Sequence, residues 1–178
     1  MPDEFILNGK TIRLMVGFII DIKSMDGLVY YARSDLKLGS GFGTAISIQG
    51  GPKVQEELKK IGGADVTDVV VTGGGNLQTR FILHAVGPQF QEEDSERKLW
   101  ETTQNVLRKA EENKLHKIAF PAMGAGFYGI PLDVCARVTL GATREFLEKA
   151  VELQEVVFCL RDSRELKVFQ EYLQKLRG

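Results

Sequence analysis

Two glycine-rich stretches hold the residues best suited to gripping a ligand. The first is Gly39, Ser40, Gly41, Phe42 and Gly43, three glycines in five positions, running into Thr44-Ala45-Ile46. The second is Gly124, Ala125, Gly126, Phe127, Tyr128 and Gly129, between the apolar run ending at Phe120 and a helix-like run after Pro131. Glycine lets a backbone approach a ligand closely, and a helix N-terminus offers free N–H groups at the positive end of its dipole. Each loop alone is equally a tight turn, but the pair together suits the two phosphates of a diphosphate. Neither is a Walker loop, because no Gly-Lys-Ser/Thr follows, and neither is a dinucleotide G-x-G-x-x-G after a first strand.

The other reactive side chains are sparse. Cys135 and Cys159 have no C-x-x-C spacing, and with only His84 and His116 they complete no zinc set, so no metal or cofactor is expected. Two buried thiols in a reducing cytoplasm are the simpler reading. His84 sits between Leu83 and Ala85 in a strand-like run, as a hydrogen-bonded core histidine would, and chain order alone supports no Ser-His-Asp or Cys-His pairing for it.

The elements that must position these loops are marked by turn chemistry and periodicity. Asn8-Gly9 between apolar-rich runs is a hairpin signal, predicting antiparallel strands over Glu4–Leu7 and residues 10–22. A turn at Met25-Asp26-Gly27 precedes a strand over 28–31. A short helix follows over 44–48, and a second over 53–61 with Val54, Leu58 and Ile61 on one face. Strands are expected at 68–72 and 81–86, and a helix at 95–113 with Leu99, Trp100, Val106, Leu107 and Ala110 in a stripe. Then come a strand at Lys117–Phe120, a helix opened at its first turn by Pro131 and running to about residue 150, and a last strand at Glu155–Leu160. Asp162 and Glu165 have capping-box spacing ahead of a final helix with Leu166, Phe169, Tyr172, Leu173 and Leu176 on its apolar face. Strands alternating with helices after a hairpin predict a mixed sheet with helices on both faces. No linker or repeat divides residues 1–178, which are expected to form one domain.

Composition narrows the function. The chain has 178 residues, 43% hydrophobic and 26% charged, with net charge −1. That is globular composition without the basic excess of a nucleic-acid-binding domain. The N-terminus lacks a basic region followed by an apolar core, and no run approaches the length of a membrane span, so a cytoplasmic location without membrane partners is expected.

The loops also carry a resemblance. Ile118-Ala119-Phe120-Pro121-Ala122-Met123-Gly124-Ala125-Gly126-Phe127-Tyr128-Gly129-Ile130-Pro131 resembles the second phosphate loop of the macrodomain family. The run from Phe81 to Pro88 resembles that family's strand before its long helix, and the run from Gly39 to Ile46 its first loop. The three motifs fall in the family's order, with the similarity covering roughly residues 17–176. The resemblance implies an α/β fold of three layers, α/β/α, with a central mixed sheet behind the N-terminal hairpin. It also implies ADP-ribose binding, and in some members hydrolysis of O-acetyl-ADP-ribose or ADP-ribosyl esters, or dephosphorylation of ADP-ribose-1″-phosphate.

Carried over residue by residue, Gly39, Ser40, Gly41, Phe42 and Gly43 fall on the loop facing the diphosphate and distal ribose. Gly124, Ala125, Gly126, Phe127 and Tyr128 fall on the loop opposite, where Phe127 and Tyr128 are placed to pack over that ribose. Ala32 and Arg33 end the strand that leads into the first loop. Family hydrolases read Asp-Ala-Ile-Val-Asn-Ala-Ala-Asn where this chain runs from Asp26 through Gly27, Leu28, Val29, Tyr30, Tyr31 and Ala32 to Arg33. Tyr30 and Arg33 thus replace the two amides, the second of which orients the catalytic water. The family's adenine-binding Asp aligns with Ile19, leaving Ile20 and Asp21 as the nearby candidates. Arg161 stands where many members carry an aromatic ring, and its guanidinium can stack on a purine. With the phosphate loops kept and the hydrolytic amide lost, the expectation is a module binding ADP-ribose or an ADP-ribosylated molecule. The alternatives are an enzyme acting on ADP-ribose derivatives with a non-standard catalytic set, or a degenerate member whose pocket holds another ligand or serves protein contacts.

Overall fold

The computed structural model describes residues 3–39 and 41–177. Asn8 and Gly9 both take positive φ, 52° and 80°, the pair a type I′ turn requires. They fold Glu4–Leu7 (β1) back onto Lys10–Val16 (β2) in antiparallel register. β2 is shorter than its apolar pattern predicts. It pairs with the last strand, Glu155–Leu160 (β7), only as far as Val16 opposite Leu160, and Gly17 N–H then closes the ladder on the Leu160 carbonyl at 2.9 Å. Beyond that point no strand is left to pair with. The chain instead turns through a 3-10 segment, Ile19–Asp21, which drops Ile19 onto Met25, Leu28, Ala119 and Val157.

The remaining elements follow the predicted order: Gly27–Tyr31 (β3), Phe42–Gly50 (α1), Pro52–Ile61 (α2), Val69–Gly73 (β4), Phe81–Ala85 (β5), Ser95–Glu112 (α3), Lys117–Phe120 (β6), Leu132–Leu147 (α4) and, after β7, Ser163–Lys175 (α5). Several boundaries shift by one to three residues. α1 begins two residues early, at Phe42, whose ring packs edge-on to Tyr30 at 5.3 Å. Pro131 is the N-cap of α4 rather than its first helical residue. α4 stops at Leu147, where Lys10 Nζ donates to the Leu147 and Ala150 carbonyls and so ends the helix with a cation.

The sheet has seven strands in the order β1-β2-β7-β6-β3-β5-β4, parallel except at its two antiparallel edges, β1 and β4. Alternate side chains face opposite layers. Val29, Leu83, Phe120 and Phe158 pack under α3, α4 and α5, whereas Tyr30 and Ile82 pack under α1 and α2. The segment between β2 and β3 covers the rest of that second face, over Ala119, Val157 and Cys159. The fold is therefore the three-layer α/β/α arrangement expected. No described helix is long and apolar enough to cross a membrane.

Asp26 is a brace and not merely part of a turn. Its Oδ2 accepts the His116 and Lys117 N–H groups at 2.8 and 3.0 Å, its N–H donates to the Lys117 carbonyl, and its own carbonyl accepts Phe81 N–H. One residue thus fixes where β3, β5 and β6 begin. Asp26→Ala is expected to cost about 2 kcal/mol, the scale of charge-assisted hydrogen bonds to backbone donors. An unchanged urea midpoint would refute the brace.

Candidate functional site

Because β2, β3, β5, β6 and β7 run parallel, the chain leaves all five at the same end of the sheet. From β3 it proceeds through α1 and α2 towards one edge, and from β6 through α4 to β7 on the other side. The order reverses between β3 and β6, and a crevice at such a switch point is the usual ligand site of an α/β sheet. The two glycine-rich loops leave these two strands and therefore flank the crevice.

The first loop is built by local turns. Arg33 C=O accepts Leu36 N–H at 2.9 Å, with Leu36 at φ 59° and buried. Asp35 Oδ2 accepts from Arg33 Nη2 at 2.8 Å, and its Oδ1 from Lys37 N–H at 3.0 Å. The Lys37 N–H, and then the Arg33 charge, hold the Asp35 carboxyl below its usual range. Thr44 Oγ donates to the Gly39 carbonyl at 2.7 Å and ties the loop to the first turn of α1. A Cβ built on Gly39 would stand 3.8 Å from the Arg33 guanidinium, so that side chain lies along the loop. Gly41 caps α1 at φ 65° without a side-chain acceptor, and among the described residues the N–H groups of the first turn have no side-chain cap. Ser40, the remaining predicted residue of this loop, lies outside the described residues.

Tyr30 explains Gly43. The phenol is buried on the α1 side of β3, and a Cβ at Gly43 would collide with its oxygen. Burial raises the Tyr30 pKa, and the neighbouring Tyr128 phenol adds to the effect. Tyr30 therefore fills space beneath the first loop. Tyr31 points to the other face, donates to the Pro88 carbonyl and meets the Tyr128 ring edge-on at 4.8 Å.

The second loop turns on Gly124, Gly126 and Gly129, at φ 82°, 86° and 78°. Ile130 N–H donates to the Gly124 carbonyl and Gly129 N–H to that of Gly126, closing two short turns. Among the described residues, the N–H groups of Gly124, Gly126, Phe127 and Tyr128 donate to no protein acceptor. Tyr128 is anchored on Tyr31. Burial raises its pKa, while the charge of Arg33 pulls the other way. Phe127 differs: it is 95% exposed and touches the Tyr128 ring at 5.7 Å.

The third side of the crevice comes from β2 and β7. Ile20 packs half-buried against the α1 cluster, Asp21 is exposed on the 3-10 turn, and Ile19, at 9% exposure, is part of the core. Arg161 follows directly after β7. A Cβ on Gly126 would lie 3.8 Å from Arg161 Nη2, which brings β7 and the second loop together. Ala32 continues the β3–β5 pairing through its N–H to the Ala85 carbonyl at 2.7 Å. The predicted residues thus gather at one end of the sheet. Asp35 and Glu165 were not predicted. Asp35 is signalled only by its position two residues after Arg33, and Glu165 only by its capping-box spacing.

His84 lies outside the crevice, fully buried on β5, with Nε2 2.9 Å from Thr72 Oγ. Both cysteines are buried free thiols, and burial raises their pKa values, that of Cys159 to about 11. Among the described residues no cluster of three or more His, Cys, Asp or Glu is arranged to hold a metal ion.

Comparison with known proteins converges on the same region. The Macro domain family model matches residues 30–139, a span that contains both loops. A macro domain-containing protein of Caldanaerobacter subterraneus is 34% identical over 94% of this chain and 98% of its own length. One from Cupriavidus necator is 30% identical over 94% and 99%. An Oceanobacillus iheyensis macrodomain variant solved with ADPR superposes with a TM-score of 0.92 at 27% identity, covering 98% of this chain and 97% of that one. The Trypanosoma brucei macrodomain in complex with ADP-ribose gives 0.84 at 30% identity, covering 94% and 69%. With its sheet order, its two loops and these relatives in agreement, the chain belongs to the macro domain family.

Proposed function

We propose that the chain, as one macrodomain over residues 1–178, binds ADP-ribose or a related ADP-ribosyl nucleotide in the β3–β6 crevice. The observation that carries this reading is the pair of loops. Among the described residues, the N–H groups of Gly124, Gly126, Phe127 and Tyr128 have no acceptor, and the start of α1 has no side-chain cap. Backbone donors at a helix start and in a glycine loop are the chemistry a diphosphate calls for. The ADP-ribose complexes of the Oceanobacillus and Trypanosoma macrodomains support the choice of nucleotide. In this reading Ile20 and Asp21 border the adenine end, Ala32 and Arg33 border the distal ribose with Tyr128, and Gly39 to Gly43 complete the phosphate cradle.

Binding is favoured over turnover by Arg33. Where hydrolase relatives keep a neutral amide, this chain has a guanidinium engaged with Asp35 at 2.8 Å. Arg has donors and no acceptor, so it neither takes a proton from water nor accepts a hydrogen bond from it. The test is a thermal melt with and without ADP-ribose. A ligand held only by the folded state adds about 2.7 kcal/mol at a concentration 100-fold above Kd. A melting curve unmoved by millimolar ADP-ribose would set the reading aside in favour of a different ligand.

A further inference from the structure

The spacing of Asp162 and Glu165 predicts a reciprocal capping box at the start of α5, and only half of it forms. Asp162 Oδ1 accepts Glu165 N–H at 2.9 Å, as a capping residue should. The Glu165 carboxylate does not return the bond to Asp162. Its Oε1 accepts the Arg161 N–H at 2.8 Å, and its Oε2 accepts Arg161 Nε and Nη2 at 3.2 and 3.1 Å. Glu165 is 1% exposed, whereas the Arg161 side chain is 67% exposed. A carboxylate withdrawn this far from water needs its charge answered, and Arg161 answers it with three donors. The result is a guanidinium fixed along one edge by a buried partner, with Nη1 and the remaining Nη2 hydrogen directed elsewhere.

That position is beside the second loop, since Arg161 Nη2 is the one described group within 4 Å of a Cβ built on Gly126. Gly126 and its two successors carry the unused N–H groups described above. A preorganised cation next to a row of free backbone donors is an anion site with both of its components in place. We infer that Arg161 gives the second loop its charge, contacting the diphosphate of the bound nucleotide rather than the face of its base, and that Glu165 is a positioning residue acting through Arg161. The inference rests on the ADP-ribose-binding reading and deepens it.

Calorimetric titration of ADP-ribose at low and high sodium chloride tests it, using the wild-type chain, Arg161→Met, Glu165→Gln and the double variant. Arg161→Met is expected to bind about tenfold more weakly at low salt, the scale of one charge-assisted hydrogen bond. It should also lose much of the salt dependence, because the screened contact is gone. Glu165→Gln should weaken binding severalfold alone and add nothing in the Arg161→Met background. Three results would overturn the inference: Arg161→Met binding like wild type, weakened binding with an unchanged salt dependence (stacking on the base), or a Glu165→Gln effect of equal size in both backgrounds (a purely structural role). Arg161→Met leaves the buried Glu165 carboxylate without its side-chain partner and is expected to be less stable, so the double variant, which removes both charges, decides the diphosphate contact if either single variant does not fold: it should bind about tenfold more weakly than wild type at low salt, and wild-type affinity would overturn the inference. A wild-type chain that does not bind ADP-ribose would remove the binding reading itself. A wild-type chain that binds, with variants indistinguishable from it, would remove only this inference.

Discussion

Gly126→Val is expected to lose about a hundredfold or more in affinity for ADP-ribose, more than 2.7 kcal/mol, while the domain stays folded. Gly126 lies on an exposed part of the second loop, and a Cβ there meets no described atom closer than Arg161 Nη2 at 3.8 Å. The unliganded protein therefore has room for the side chain, and the direct penalty is conformational. The residue sits at φ 86°, where a β-branched residue carries about 1–3 kcal/mol of local strain. The ligand does not have that room. The valine methyl groups would stand between the N–H groups of residues 126–128 and Arg161, in the space the diphosphate must enter. Circular dichroism should be unchanged and the melting temperature modestly lower, with calorimetric heats at the level of dilution. A folded variant that binds within a factor of about three of wild type, under 1 kcal/mol, would remove the second loop from the phosphate site.

The second large effect concerns stability and lies away from the crevice. His84 is fully buried, and burial holds its pKa down at about 4. Its Nε2 meets Thr72 Oγ, and its Nδ1 has no partner among the described residues, so the ring offers no second site that would welcome a proton. In the unfolded chain the same imidazole titrates near 6.5. Between those two values the unfolded state binds a proton that the folded state refuses, so stability falls as pH is lowered from about 6.5 towards 4. The His84 contribution is fully present above pH 6.5 and is reduced by roughly 2.5 kcal/mol by pH 4.5. Paired carboxylates also weaken in acid, so the informative quantity is the difference between wild type and His84→Met. Urea unfolding should show the wild type losing about 2.5 kcal/mol more than the variant between pH 7 and 4.5. Equal losses would mean that His84 is protonated inside the fold.

The parts of this fold governed by local chemistry are legible in the amino-acid string. Asn8-Gly9 specifies a hairpin by its φ requirements, and Leu99, Val106, Leu107 and Ala110 specify the buried stripe of α3 without reference to anything distant. The glycines of the second loop are legible for the same reason, because positive φ at residues 124 and 126 is a local demand. Features that depend on a remote partner are not. The apolar run Phe18-Ile19-Ile20 satisfies a strand pattern, and only the end of β7 at Leu160 determines that the ladder stops at Val16. Glu165 obeys the local capping rule, yet its carboxylate is claimed by a guanidinium that also faces residue 126, far away in sequence. The resemblance at the loops points to the end of the sheet where β3 and β6 part. The role of Tyr30 is not local, because its oxygen occupies the space that a Cβ on Gly43, thirteen residues on, would need.

The pairing of β3 with β6 spans two residue pairs, Gly27 with Ile118 and Leu28 with Ala119, whereas every other neighbouring pair of strands shares four or more. Mechanically, the sheet is two plates joined by a short weld, β1-β2-β7-β6 on one side and β3-β5-β4 on the other. Each plate carries one of the glycine loops, and Asp26 clamps the weld at the end away from them. A molecule gripping both loops spans the open end of that seam as a rivet. Binding across both loops would then bear on the joint between the two halves of the sheet, and not on the crevice alone.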